Sequence, residues 1–207
     1  MKIICVGMNY AEHISELHGV DKAKPEQPVI FMKPDSSLLR VNTPFYIPDF
    51  ASEFHYETEI VVKINRLGRA INRKFAHRYY AEIGIGIDFT ARDLQRKLMA
   101  QGLPWEISKG FDQAAAISEF VPLNELGGNI DNISFHLDVN GETKQVGNTA
   151  NMIFSVDEII AYVSQFFTLK MGDLIYTGTP VGVGPVHEGD RLQAYIADRQ
   201  MMDFLVK

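Results

Sequence analysis

The chain has almost no cysteine: Cys5 is the single one in 207 residues. An internal disulfide is therefore excluded, and a reduced, cytoplasmic setting is expected. Long hydrophobic runs are absent as well. The strongest candidate, Ile159 to Leu169, is interrupted by Ser164, Gln165 and Thr168, far short of the roughly 20 apolar residues that a bilayer requires. The opening Met1 to Gly7 is too short an apolar run for a signal peptide before polar Asn9. Basic excess is also missing, since Lys and Arg number 20 against 26 Asp and Glu, for a net charge of −6. That balance is wrong for neutralising the phosphates of a nucleic acid. Nucleotide signatures are incomplete: Thr177-Gly178-Thr179-Pro180 and the glycines after it lack a Gly-Lys-Ser/Thr ending, and Gly84-Ile85-Gly86 lacks a third glycine.

What is present is an ordinary globular composition, 46% hydrophobic and 22% charged, without repeat, linker or low-complexity segment. Residues 1–207 are expected to fold as one domain. Asn9 and Glu12 fit a capping box opening a helix from Tyr10 to Leu17, Lys22 to Pro28 reads as a loop, and Val29 to Met32 as a buried strand. Strict alternation from Phe54 to Ile64 predicts one strand. Lys74 to Ala81 reads as helix, Ile83 to Phe89 as strand, and Thr90 to Ala100 as a helix capped by Thr90. Asn140-Gly141 predicts a type I′ hairpin between Ser134–Val139 and Glu142–Val146. Ser155 and Glu158 form a capping box before Ile159, Ile160, Val163 and Phe166 at helical spacing. Strands are expected at Leu174 to Thr177, Leu192 to Ile196 and Met201 to Val206. Strands outnumber helices and interleave with them unevenly, which argues for an α+β, sheet-dominated fold with a few short helices.

Several residues carry potential chemistry. Glu57 and Glu59, two apart on a strand, project from one face and repel unless a cation or proton lies between them. Asp88 ends the glycine-spaced strand Gly84 to Asp88. Three carboxylates, without His or Cys at zinc spacing, suit a hard cation such as Mg²⁺ or Mn²⁺. Periodicity alone favours the plainer account, a solvated acidic face paired with lysines. His13 and Glu16, at i and i+3, outline a general-base dyad, and equally an exposed pair on an amphipathic helix. Lys109, among apolar residues, either faces an anion or lies in solvent. Arg92 and Gln95 share a helix face and are able to hydrogen-bond a carboxylate, although Asp93 or Glu82 would also partner Arg92. The threonine loop around Thr179 offers amides and hydroxyls to a small anion, or is simply a tight turn.

Taken in order, these segments resemble the fumarylacetoacetate hydrolase family. The matching pieces are Cys5-Val6-Gly7-Met8-Asn9-Tyr10 running into His13-x-x-Glu16, Phe31-Met32-Lys33-Pro34, His55-Tyr56-Glu57-Thr58-Glu59, Asp88 to Gln95, Gly102-Leu103-Pro104-Trp105 with Ser108-Lys109-Gly110-Phe111, and Thr177-Gly178-Thr179-Pro180. Their order covers essentially the whole chain and is most similar to the acylpyruvase and fumarylpyruvate hydrolase branch.

The resemblance implies a mixed β-sandwich roll, usually a homodimer, with Glu57, Glu59 and Asp88 as ligands of Mg²⁺ or Mn²⁺. It implies His13 and Glu16 as a water-activating dyad on a lid, and Lys109 as a residue placing the water or the developing oxyanion. Arg92, Gln95 and Thr179 are then expected to hold a small 2-oxo acid substrate. The expected reaction is hydrolysis of the C–C bond of a 3-acylpyruvate. Oxaloacetate decarboxylation and 2-oxo acid tautomerisation on the same scaffold are the alternatives, beside a non-catalytic 2-oxo acid binder. One departure stands out: Met8 takes the place of the basic residue in the family's Gly-Arg-Asn-Tyr, which suits a less acidic acyl tail.

Overall fold

The computed structural model describes residues 1–18, 24–40 and 42–207. Its centre is a mixed sheet in the order Val29–Lys33, Ile3–Gly7, Leu174–Tyr176, Thr58–Ile64, Tyr80–Asp88, Ala115–Ile117 and Leu38–Leu39. The Ile3–Gly7 strand runs parallel to Leu174–Tyr176, and Leu38–Leu39 parallel to Ala115–Ile117; the other pairs on this path are antiparallel. Glu142–Asn148, Ser134–Val139, Arg191–Ile196 and Arg199–Leu205 form a second, antiparallel sheet. Within it Phe135, Leu137, Leu192, Ala194 and Ile196 are buried and alternate with more exposed residues. That period of two lets the second sheet cover the first, so these side chains join Ile60, Val62, Ile83, Ile85 and Ile87 in one core. The opposite face of the central sheet buries Ile3, Cys5, Val61, Leu174 and Tyr176. The fold is the expected sheet-dominated α+β roll. Among the described residues no helix is long and apolar enough to cross a membrane.

Local signals placed several elements well. Asn140 and Gly141 have φ of 55° and 79°, as a type I′ turn demands. Ser155 and Glu158 cap the Val156–Phe166 helix reciprocally. The tail strand and the Leu192 to Ile196 strand form, and the first helix spans Ala11–His18. The predicted loop at Lys22 to Pro28 falls partly outside the described residues.

Tertiary context overrode other expectations. Asn9 does not pair with Glu12. Its Oδ1 accepts from the Phe154 amide at 2.8 Å, while Nδ2 donates to the Thr177 carbonyl at 2.7 Å, tying the first strand to two distant segments. The helix expected over Lys74 to Ala81 is one turn, Arg73–Ala76, because Tyr80 already begins the long Tyr80–Asp88 strand. Thr90 is not a cap: Thr90–Ala91 forms a short strand and the helix starts at Arg92, with Ala91 before it. The alternating stretch divides at Glu57. Phe54–Tyr56 pairs in a small sheet with Gly184–Pro185 and Thr90–Ala91, while Thr58–Ile64 joins the central sheet. Alternation is blind to such a handover, because each half keeps period two.

A candidate active site

The antiparallel register sets Thr58 against Ile87 and Glu59 against Gly86. The start of one strand thus meets the end of the next, and the Asp88 amide donates to the Glu57 carbonyl at 2.8 Å. Glu57, Glu59 and Asp88 converge there, one carboxylate oxygen from each lying within 4.8 Å of the others. Gly86 is required at this place: a Cβ would lie 2.5 Å from the Tyr176 ring, which crosses over to donate its hydroxyl to the Ala116 carbonyl.

All three carboxylates are buried, so their charges need partners. Lys109 Nζ lies 2.8 Å from both Glu57 and Asp88, and Arg92 pairs with the other oxygen of Glu57. Burial would raise the Glu57 carboxyl, but Lys109 and Arg92 overcome it and hold the group well below the usual carboxylate range. Burial likewise disfavours the Lys109 ammonium, and Asp88 and Glu57 reverse that so its pKa rises. Glu59 differs. No cation pairs with it among the described residues, and burial with Asp88 nearby pushes its carboxyl well above the usual range, against the Gly178 amide that donates to it at 2.7 Å. Gly178 has φ of 102°, and a Cβ there would come within 2.7 Å of Asn9 Cβ; glycine is what lets this amide reach the carboxylate. Three buried, hard oxygen donors, one lacking a cationic partner, fit Mg²⁺ or Mn²⁺ and offer nothing to a soft metal.

Above the triad lies a cavity of about 440 Å³. The sequence-predicted residues His13, Glu16, Glu57, Glu59, Asp88, Arg92, Gln95, Lys109 and Thr179 all line it. His13 is buried on the first helix, its Nδ1 3.1 Å from Glu16 Oε2. A carboxylate only accepts, so Nδ1 carries the hydrogen, and in the neutral imidazole Nε2 is then the nitrogen with the lone pair. The other oxygen of Glu16 accepts from the Gly182 amide at 3.0 Å. Arg92 partners Glu57 and Gln95 rather than Asp93 or Glu82, and its buried Nε has no hydrogen-bond partner. An orphaned cationic donor beside a cavity suits an anionic ligand. Thr179 is more committed: its hydroxyl donates to the Thr58 carbonyl at 2.9 Å and accepts from Gln145. It offers a ligand a lone pair rather than a hydrogen.

Other contributors escaped sequence reasoning as site residues. Lys33 is fully buried beside Asp88, and Trp105, Met99 and Arg96 form part of the wall. Lys33 and Trp105 stand in motifs that the sequence shows, Phe31-Met32-Lys33-Pro34 and Gly102-Leu103-Pro104-Trp105, whereas nothing in the sequence marked Met99 or Arg96.

A rolled mixed sheet carrying a carboxylate triad at the foot of a small cavity defines a class: proteins able to hold a divalent cation beneath a small anionic molecule. The sequence model of the fumarylacetoacetate (FAA) hydrolase C-terminal family matches residues 2–204, and the chain belongs to this family. It is 43% identical over 191 residues to the oxaloacetate tautomerase YcgM of Escherichia coli (strain K12), covering 92% of this chain and 86% of the relative. It is 42% identical to the mitochondrial oxaloacetate decarboxylase of Dictyostelium discoideum, covering 94% and 88%. Among solved structures, the fumarylpyruvate hydrolase of Pseudomonas aeruginosa in complex with Mn²⁺ and pyruvate superposes with a TM-score of 0.92 at 34% identity, covering 100% of this chain and 89% of that one.

Proposed function

We propose that this chain is a metal-dependent enzyme of small 2-oxo acids whose principal reaction is the keto–enol interconversion of oxaloacetate. The observation that carries this reading is the His13–Glu16 pair, buried in the wall of a cavity whose floor is the carboxylate triad. The names of the oxaloacetate tautomerase and decarboxylase relatives support it over acylpyruvate hydrolysis, the reaction expected from sequence.

Glu57, Glu59 and Asp88 would hold Mg²⁺ or Mn²⁺, which supplies positive charge against the carboxylate and 2-oxo oxygens of the substrate. The chain's own residues do the rest. Tautomerisation moves one proton between the C2 oxygen and C3, and His13 Nε2 takes and returns it. Glu16, held by the Gly182 amide, fixes the imidazole tautomer and stabilises the imidazolium. Arg92 and the Gln95 amide orient the anion, and Lys109 keeps Glu57 and Asp88 in place as counter-charge. The same dyad is able to activate water, so hydrolysis of a 3-acylpyruvate is the second reading, favoured by the likeness to the fumarylpyruvate hydrolase.

The test is a three-way assay in Mg²⁺, in Mn²⁺ and in chelator: decay of enol-oxaloacetate absorbance, pyruvate release from oxaloacetate, and cleavage of acetylpyruvate. Metal-dependent enol decay faster than both other reactions is expected; faster acetylpyruvate cleavage would reverse the order of the two readings. The cytoplasmic reading rests on Cys5 being the single cysteine, without an internal disulfide partner, and the homodimer on the family resemblance. Fractionation and solution mass measurements check them.

A further inference from the structure

The cations that line the cavity are not equivalent. Arg92 and Lys109 are buried and engaged by the triad. Arg96, one turn beyond Arg92 on the same helix face, lines the same cavity but keeps 59% of its side chain exposed. The wall beside it is apolar: Met8, Phe31, Met99 and Trp105 bring no charge.

Arg96 is held where it is. Its guanidinium forms an ion pair with Glu53, whose Oε1 also meets His55 Nε2 at 2.7 Å. The Glu53 carbonyl accepts from the Arg92 amide at 2.7 Å, and Ser52 donates to Asp93 through both its amide and its hydroxyl. The Ser52–Glu53 segment is thereby fastened to the first turn of the helix that carries both arginines. An exposed pair of this kind is weak and screened, so Glu53 orients Arg96 without consuming it; a guanidinium has five N–H donors.

We propose that Arg96 is a specificity-determining residue that receives the distal carboxylate of a dicarboxylic 2-oxo acid, with Glu53 as its positioning residue. The proposal rests on the 2-oxo acid reading of the site. A 2-oxo acid whose carboxylate and oxo oxygens face the triad points its tail along the cavity wall, and a charged tail there meets Arg96, the one Lys or Arg among the described lining residues that the triad does not engage. A methyl tail meets only the apolar wall and gains nothing from Arg96. The residue therefore separates oxaloacetate from its methyl-tailed counterpart, 2-oxobutyrate.

Trp105, the single tryptophan, lines the cavity and reports binding by its fluorescence. Rapid-mixing titrations of the full chain in saturating Mn²⁺ would compare oxaloacetate with 2-oxobutyrate. In Arg96→Gln, oxaloacetate affinity should fall about ten-fold, the low end for a hydrogen-bonded charge pair, while 2-oxobutyrate changes less than about two-fold. Arg96→Lys should recover part of the loss, and Glu53→Gln, which removes the partner that orients Arg96, should weaken oxaloacetate binding by less than Arg96→Gln does while leaving 2-oxobutyrate binding unchanged. Equal weakening of both acids in Arg96→Gln, or no weakening of either, would overturn the proposal while leaving the 2-oxo acid reading in place. Wild-type protein that binds neither acid would overturn both.

Discussion

Lys33 Nζ lies 2.6 Å from Asp88 Oδ1, with the two side chains 0% and 1% exposed. The contact is one of charge rather than an aligned hydrogen bond, since that oxygen has no hydrogen-bond partner. The ammonium donates instead to the carbonyls of Phe89, Ala114 and Lys109. One buried cation thus binds the segments that present Asp88 and Lys109. Replacing it by Met strips buried Asp88 of one of its two cationic partners, Lys109 being the other, so the cost stays below that of leaving a buried charge wholly unpaired, about 3–5 kcal/mol. Lys33→Met should lower the denaturant midpoint of the metal-free protein, and Mn²⁺ should raise its melting temperature more than it raises that of the wild type. An equal Mn²⁺ shift in both would show that Lys33 serves packing alone.

Glu59 is the carboxylate whose charge the metal-free protein least tolerates. Its pKa is raised in the folded state, so its contribution to stability is present below the unfolded value, about 4.3, and is lost as pH rises through the folded value. Glu59→Gln should therefore stabilise the metal-free protein at neutral pH and abolish the Mn²⁺-induced rise in melting temperature. A variant that is less stable yet still stabilised by Mn²⁺ would remove Glu59 from the ligand set.

The dyad separates reactions. His13→Ala should lower enol-oxaloacetate tautomerisation by about 10²–10⁴-fold, the usual contribution of a positioned acid–base group, with Mn²⁺ affinity by calorimetry unchanged. Decarboxylation requires no base and should survive better. If all three activities fall in parallel, His13 binds rather than moves protons.

Met8 has φ of 60° and lines the cavity. Met8→Arg places a second cation near the tail position and should raise kcat/KM for a dicarboxylic substrate relative to a monocarboxylic one. An unchanged ratio in steady-state kinetics would dismiss Met8 as a determinant of tail charge.

Far from the cavity, Asp173 accepts from the Lys2 and Lys170 amides at 2.8 and 2.7 Å and pairs with the Lys2 ammonium. Burial opposes its charge and these partners more than compensate, so its pKa is lowered. Its stabilisation is present above the unfolded value, about 3.9, and is lost as pH falls through the lower folded value. Asp173→Asn should cost about 1–3 kcal/mol at pH 7 and flatten the acid limb of the stability profile, read by urea titration between pH 2 and 7.

The parts of the fold that were legible are those whose cause is local. Asn140-Gly141 turns because both residues accept positive φ, and Ser155 with Glu158 caps a helix by reciprocal hydrogen bonds within one turn. Where a long-range partner competes, local signals mislead. Asn9 bonds to Phe154 and Thr177 rather than to its own helix, and Tyr80 joins a sheet instead of extending a helix.

For the site, the sequence by itself determined the chemical inventory: three carboxylates without thiolate or imidazole zinc spacing, a His-x-x-Glu pair, and the order of motifs that marks the family. Tertiary structure decided what those groups are. Only the antiparallel register brings Glu57 and Glu59 to Asp88, and only burial turns an acidic strand that periodicity would leave in solvent into a candidate cation site. It also decided which cations are committed. Lys33, Lys109 and Arg92 pair with Glu57 and Asp88 while Arg96, paired with Glu53, stays at the cavity wall, because charge pairing depends on distance through space, which spacing along the chain does not encode.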